Sequence, residues 1–229
     1  MAMDAIFDIA PDVTGNRDAL IILPGAKDRP QDFVDHGFIH GIRERNLPID
    51  IVAVNAHVDY YLEGNIIEKL RHDIVSSLQE KNYQSIWILG ISIGGLGALS
   101  FARKYPSIIE GVILLAPFLG VRGTIAEVVR AGGLDSWNPG NIDSDDHERD
   151  LLAWLKTYPS GEEPLPRIYL GYGKEDRYAP ASVLLAERLP TQQVLAINGG
   201  HDWQTWLALW LGWLDREVFS NKTWSVRPD

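Results

Sequence analysis

The pentapeptide Gly90-Ile91-Ser92-Ile93-Gly94 sets a hydroxyl between two glycines, directly after the apolar run Ser85-Ile86-Trp87-Ile88-Leu89. A serine at a tight strand-to-helix turn is lifted clear of a buried sheet. Small residues on either side let two backbone segments approach closely. The chemistry offered is nucleophilic attack on an acyl carbon. Acyl transfer by serine needs a base to take the hydroxyl proton, a carboxylate to orient that base, and donors for the developing oxyanion. Each partner is expected at the carboxyl end of a strand.

Asp176, in Gly171-Tyr172-Gly173-Lys174-Glu175-Asp176-Arg177, directly follows a predicted strand and is the candidate acid. Its neighbour Glu175 could take the same part, but residue 176 is better placed before the next helix. His201, in Asn198-Gly199-Gly200-His201-Asp202-Trp203, follows the next strand and is the candidate base. The order Ser, Asp, His along the chain is the one this architecture uses. Taken singly, Asp176 reads as a helix cap and His201 as a surface residue. It is their joint placement after two separate strands that gives them a chemical reading. The oxyanion donors are expected to be the amides of Ile93, at a helix N-terminus, and Ala26, in Leu23-Pro24-Gly25-Ala26-Lys27-Asp28. His57, Phe118 and Trp203 each lie just beyond a strand or beside the histidine, and are the candidate substrate-binding residues.

These residues need a scaffold, and the rest of the chain supplies its pattern. Strand-like runs at 18–23, 49–54, 85–89, 111–116, 167–172 and 193–197 alternate with helical spacing at 33–45, 63–81, 95–105, 181–189 and 203–218. A further short strand fits at 5–9. Such alternation implies a mostly parallel sheet of six to seven strands with helices on both faces. Residues 118–166 break the rhythm. They are rich in glycine and carry Asp143-Ser144-Asp145-Asp146 between two helix-like pieces near 125–130 and 148–158. This reads either as a lid beside the site or as a long crossover.

With 229 residues and 45% hydrophobic content, one domain spanning 1–229 is expected. The net charge of -10 argues against nucleic acid as a partner. The absence of cysteine excludes disulfides, thiolate metal sites and a cysteine nucleophile, and suits the cytoplasm. Neither a secretory signal nor a membrane span is expected. No phosphate loop, dinucleotide fingerprint or metal cluster stands out, so no cofactor is expected. The 143–146 run lacks the spacing of a calcium loop. The eight tryptophans, several of them within 203–213, could face the core or a second copy of the chain.

On the Gly90–Gly95 segment, the chain resembles the α/β-hydrolase superfamily over residues 20–219. Gly199-Gly200-His201-Asp202-Trp203-Gln204-Thr205-Trp206 is similar to the histidine segment of small serine esterases of the esterase D type, which are carboxylesterase-like. The resemblance implies an α/β-hydrolase fold with a small insertion after the fourth long strand. It also implies a serine hydrolase acting on a small or medium ester through an acyl-enzyme, with Ser92 as nucleophile, His201 as general base and then acid, and Asp176 as orienter. The same machinery serves thioesterases and acyltransferases, and the fold also carries non-catalytic binding proteins. Two departures stand out. Pro24-Gly25 occupies the place where many relatives have His-Gly, and only about eighteen residues precede the first long strand, by the same motif reading.

Overall fold

A computed structural model describes residues 2–11, 17–81, 83–158 and 165–219. Seven strands form one sheet: β1 (Ala5–Asp8), β2 (Asp18–Leu23), β3 (Ile49–Val54), β4 (Ser85–Ile91), β5 (Gly111–Leu115), β6 (Arg167–Gly173) and β7 (Val194–Ile197). The spatial order is β1-β3-β2-β4-β5-β6-β7. Only β1 runs antiparallel, against β3; the other five pairings are parallel.

Strict alternation inside the strands makes two cores. Ile21 and Leu23 of β2 and Ile86 and Ile88 of β4 face one layer, with the helical segment 66–80, the helix Ile93–Lys104 and the helix Ala179–Ala186. Leu20, Ile22, Trp87, Leu89 and Ile91 face the other, with the helices Pro30–Asp35, Phe38–Glu44 and Trp203–Asp215. Because both faces are covered, the central strands read as unbroken apolar runs. Trp206, Trp210 and Trp213 are buried against this second face, so these tryptophans serve the core.

Three helices differ from the sequence pattern. The single helix expected at 33–45 is two, separated at Gly37, whose φ of 82° no continuing helix can hold. The helix expected at 63–81 starts at Ile66 and carries a π-helical turn, Leu70–Val75, before resuming as Ser76–Glu80. The last helix stops at Asp215 rather than at 218. Within 118–166, the two helical pieces are Arg122–Arg130 and His147–Thr157. Residues 159–164 of that interval lie outside the described residues.

These two helices are tied to each other and to the body of the fold by charge. Arg149 pairs with Glu127 and, at 3.1 Å, with Asp146, while Arg103 on the helix Ile93–Lys104 meets Asp150 at 2.6 Å. The chain passes from β3 over β2 to β4, so the loops after β2 and β4 leave the sheet side by side. Leu23 pairs with Gly90 at that point. The crevice outside the carboxyl ends of the strands opens where strand order reverses in this way. Among the described residues, no helix is long and apolar enough to cross a membrane.

Candidate active site

Ser92 stands at the end of β4 with φ 52° and ψ −118°, a conformation natural to glycine and strained for any residue with a Cβ. The strain is held by its surroundings. The Ser92 N–H donates to the Leu115 carbonyl at 3.2 Å, and the Ser92 carbonyl accepts from Gly95 (2.9 Å) and Phe118 (2.8 Å). The glycines are needed for space. A Cβ on Gly90 would overlap the Gly94 carbonyl, and one on Gly94 would overlap the Leu23 carbonyl oxygen and lie 2.7 Å from that of Pro24. These obstacles are backbone atoms and cannot swing away. Gly94→Ala is therefore expected to lower stability by about 1–3 kcal/mol, read as a fall in the urea midpoint. An unchanged midpoint would contradict the close approach.

The histidine loop is pinned against the end of β6. Lys174 N–H donates to the Ile197 carbonyl (2.9 Å) and Glu175 N–H to that of Gly199 (3.0 Å). The Glu175 carboxylate accepts the Gly199 N–H, which commits it to the loop backbone. Asp176 is the carboxylate that faces the imidazole. One of its oxygens lies 2.7 Å from His201 Nδ1, and the other accepts the Tyr178 N–H at 2.8 Å. Its side chain is 1% exposed. On the far side of the ring, His201 Nε2 lies 3.0 Å from Ser92 Oγ. With Nδ1–H donated to Asp176, the Nε2 lone pair is free to accept the serine proton. Tyr178 and Trp206 hold the ring edge-on, with centroids at 4.8 and 5.0 Å. Asp202 caps the following helix through Thr205 N–H at 2.9 Å, which fixes where that helix leaves the site.

Of the two expected oxyanion donors, Ile93 directly follows the serine, and Ala26 is exposed next to Gly25, whose backbone approaches the serine. Ile93 opens the helix Ile93–Lys104, so its N–H has no acceptor within the helix. Ala26 lies in the loop after β2. There the Asp28 N–H closes a turn on the Gly25 carbonyl (3.2 Å), and a Cβ on Gly25 would lie 3.6 Å from Ser92 Cβ. The site thus holds a hydroxyl, an imidazole within reach of its proton, a carboxylate behind the imidazole, and the Ile93 amide next to the serine. That set can carry an acyl group through a tetrahedral intermediate.

The three candidate substrate-binding residues lie in different settings. Phe118 bonds Ser92 through its backbone and sets its ring edge-on to Tyr178 at 5.8 Å. Trp203 is half-buried, stacked on His36 at 4.4 Å and edge-on to Phe33, Phe38 and Trp206. His57 is 59% exposed, where it caps the helix Val58–Leu62 and pairs with Asp59 at 3.0 Å. Sequence reasoning missed Tyr178 and Trp206, which hold the imidazole edge-on. Tyr178 could have been sought two residues beyond the acid, and Trp206 one helical turn from Trp203. A cleft of about 1110 Å³ opens one helical turn along from Ser92. It lies between Tyr61, the Leu96–Gly97 face and the 143–151 segment. Among the described residues, no cluster of acidic and histidine side chains is arranged to hold a metal ion.

Residues 66–137 match the Hydrolase_4 family, described as serine aminopeptidase S33. A search of the curated proteins finds no match. Among solved structures, the chain is similar to S-formylglutathione hydrolase FrmB of Staphylococcus aureus, at 14% identity and a TM-score of 0.63, over 93% of this chain and 96% of that one. It is also similar to Est1E of Butyrivibrio proteoclasticus (18%, TM-score 0.60, 95% and 93%). A third likeness is to an S-formylglutathione hydrolase of Agrobacterium tumefaciens (13%, TM-score 0.63, 95% and 89%). At these identities the likeness is one of architecture, and with the seven-stranded sheet and the serine turn it shows that this chain has the α/β-hydrolase fold.

Proposed function

We propose that the chain is a serine hydrolase that cleaves a carboxylic ester of small or medium acyl size through an acyl-enzyme. The observation that carries this reading is the unbroken line from Ser92 Oγ through His201 (3.0 Å) to Asp176 (2.7 Å). Ser92 Oγ attacks the ester carbonyl carbon while Nε2 takes its proton. The carbonyl oxygen becomes an oxyanion facing the Ile93 and Ala26 amides. The intermediate collapses, and the imidazolium returns the proton to the departing alcohol. Water then enters, gives its proton to Nε2 and attacks the acyl carbon. Ser92 leaves with that proton, and the acid is released. Asp176 holds the imidazole in one tautomer and steadies its charge throughout.

Phe118 and Tyr178 form an aromatic wall beside the imidazole and suit the acyl or alcohol portion of a small ester. In this reading, the Arg122–Arg130 and His147–Thr157 helices of the interval after β5 form a lid on a single-domain hydrolase. A fluorophosphonate probe tests the reading directly. Stoichiometric modification is expected at Ser92, found by intact mass and peptide mapping, and lost in Ser92→Ala. A folded wild type that stays unlabelled would overturn it. Thioesters are a second substrate class, favoured by the two S-formylglutathione hydrolases of like fold. The ratio of kcat/KM for matched oxygen and sulfur esters decides between them.

A further inference from the structure

The cleft of about 1110 Å³ beside the site has a floor, a wall and a rim of different chemistry. Its floor is one face of the helix Ile93–Lys104. Ile93, Leu96, Ser100 and Arg103 follow one another on that face at helical spacing, and each is half-buried. Leu96, Ser100 and Arg103 lie about 6, 12 and 17 Å along the axis from Ser92, at 1.5 Å per residue. The stripe that begins at the neighbour of the nucleophile thus runs on into the cleft, which takes in Leu96, Ser100 and Arg103. Tyr61 forms a wall on the side of the loop after β3. Its hydroxyl is buried against Gly97, where a Cβ would lie 2.8 Å from it, and has no hydrogen-bond partner among the described residues. The residue as a whole is only half-buried. With the hydroxyl covered, what Tyr61 turns to the cleft is its ring, whose π-system attracts cations.

The charges on the rim do not balance. Arg103 and Lys104 are both engaged, the first with Asp150 at 2.6 Å and the second with Glu68. Asp146 pairs with Arg149 at 3.1 Å, and Glu148 accepts the Val121 N–H at 2.7 Å. Asp143 and Asp145 also line the cleft. Both are exposed, and neither meets a cation among the described residues. An aromatic ring on one side and two open carboxylates on the other are complementary to a cation with apolar bulk.

Strand order says which end of an ester enters. The departing alcohol takes its proton from His201 Nε2, so it lies on the side of Ser92 where β6 and β7 deliver the acid and base loops. Tyr61 follows β3, on the opposite side of β4. The acyl chain is therefore the part directed along the cleft. We propose that this cleft holds the acyl chain of the substrate and selects a chain that ends in an ammonium group. The proposal rests on the serine-hydrolase reading above.

Three 4-nitrophenyl esters test it: the acetate, the 8-(trimethylammonio)octanoate, and the 9,9-dimethyldecanoate, which has the shape of the second without its charge. Wild type should favour the cationic ester over its neutral isostere about tenfold or more in kcat/KM. The ratio should shrink as salt rises from about 10 mM to about 1 M. D143N/D145N, both at exposed positions, should bring the ratio close to one by slowing the cationic ester alone. Tyr61→Leu should lower the ratio as well. Tyr61→Phe keeps the ring, sheds an unbonded hydroxyl and should keep the ratio. Ser100→Trp fills the floor and should slow both long esters while acetate turnover stays at the wild-type rate. Should Ser100→Trp or Tyr61→Leu fail to fold, the D143N/D145N comparison decides alone. Equal kcat/KM for the two long esters in wild type would overturn the proposal, as would a preference untouched by D143N/D145N. Long esters indifferent to Ser100→Trp in folded protein would place the acyl chain elsewhere and overturn it too. A fluorophosphonate separates the two readings. A wild type that it does not modify removes the hydrolase reading and this proposal together. A labelled wild type that treats the isosteres alike removes this proposal alone.

Discussion

Ser92→Ala is expected to lower kcat toward ester substrates on the order of 10⁶-fold, about 8 kcal/mol of barrier, while leaving the fold intact. The size reflects the role. Without Oγ no acyl-enzyme forms, and the residual rate comes only from donors and binding acting on water. The fold survives because alanine keeps the Cβ already accommodated at φ 52°, and the backbone bonds to Leu115, Gly95 and Phe118 do not involve the side chain. Glycine at the same position makes a sharper test. Ser92→Gly should be equally inactive but more stable by about 1 kcal/mol, because the positive φ then costs nothing. Thermal melts of the three proteins with burst-phase ester kinetics check both points. Retained turnover in either variant would remove Ser92 from the nucleophile's place. A Ser92→Gly protein less stable than wild type would mean that the turn is not strained.

That strain also explains why the site was easier to read from sequence than some of the helices. A serine forced into a glycine-like conformation needs small neighbours, so Gly90 and Gly94 mark it in the chain itself. Asp176 and His201 could be read because each sits directly after an apolar run, and parallel strands deliver their trailing loops to one edge of the sheet. The break at Gly37 and the π-helical turn at Leu70–Val75 left no such mark. Apolar residues at 66, 67, 70, 74, 75 and 78 satisfy a regular helix as well as one with an extra residue in a turn. Tyr178 and Trp206 were hidden for another reason. Tyr178 meets His201 across two loops distant in sequence, and Trp206 meets it only through the angle at which the helix Trp203–Asp215 leaves the histidine loop. Glu175 and Asp176 are adjacent carboxylates, and in the sequence only placement before the next helix favours Asp176. The folded loop, with Glu175 turned to the Gly199 amide, separates them outright.

That distinction sets the second large effect. Asp176→Asn should lower kcat about 10⁴-fold, or about 5 kcal/mol, with little change in KM. The buried Asp176 carboxylate has one oxygen on the Tyr178 N–H and the other on His201 Nδ1. An asparagine must keep its carbonyl oxygen on the Tyr178 amide, since an NH₂ there would confront another donor. Its NH₂ then faces Nδ1 and makes that nitrogen an acceptor. The ring proton moves to Nε2, where it points at Ser92 Oγ and blocks the transfer the reaction needs. Geometry is kept and chemistry is lost, so the variant should fold normally and label slowly with a fluorophosphonate. His201→Ala should match Ser92→Ala more nearly, because it removes the base altogether. Glu175→Gln should cost far less in kcat, since Glu175 holds only the backbone of the histidine loop. The decisive comparison is the pair of single-turnover acylation rates for Asp176→Asn and Glu175→Gln. If Glu175→Gln were the slower, the orienting carboxylate would be Glu175, and the loop would have to rearrange before catalysis. If Asp176→Asn is slower by orders of magnitude, the imidazole's tautomer, set by one buried oxygen, is what makes Ser92 a nucleophile.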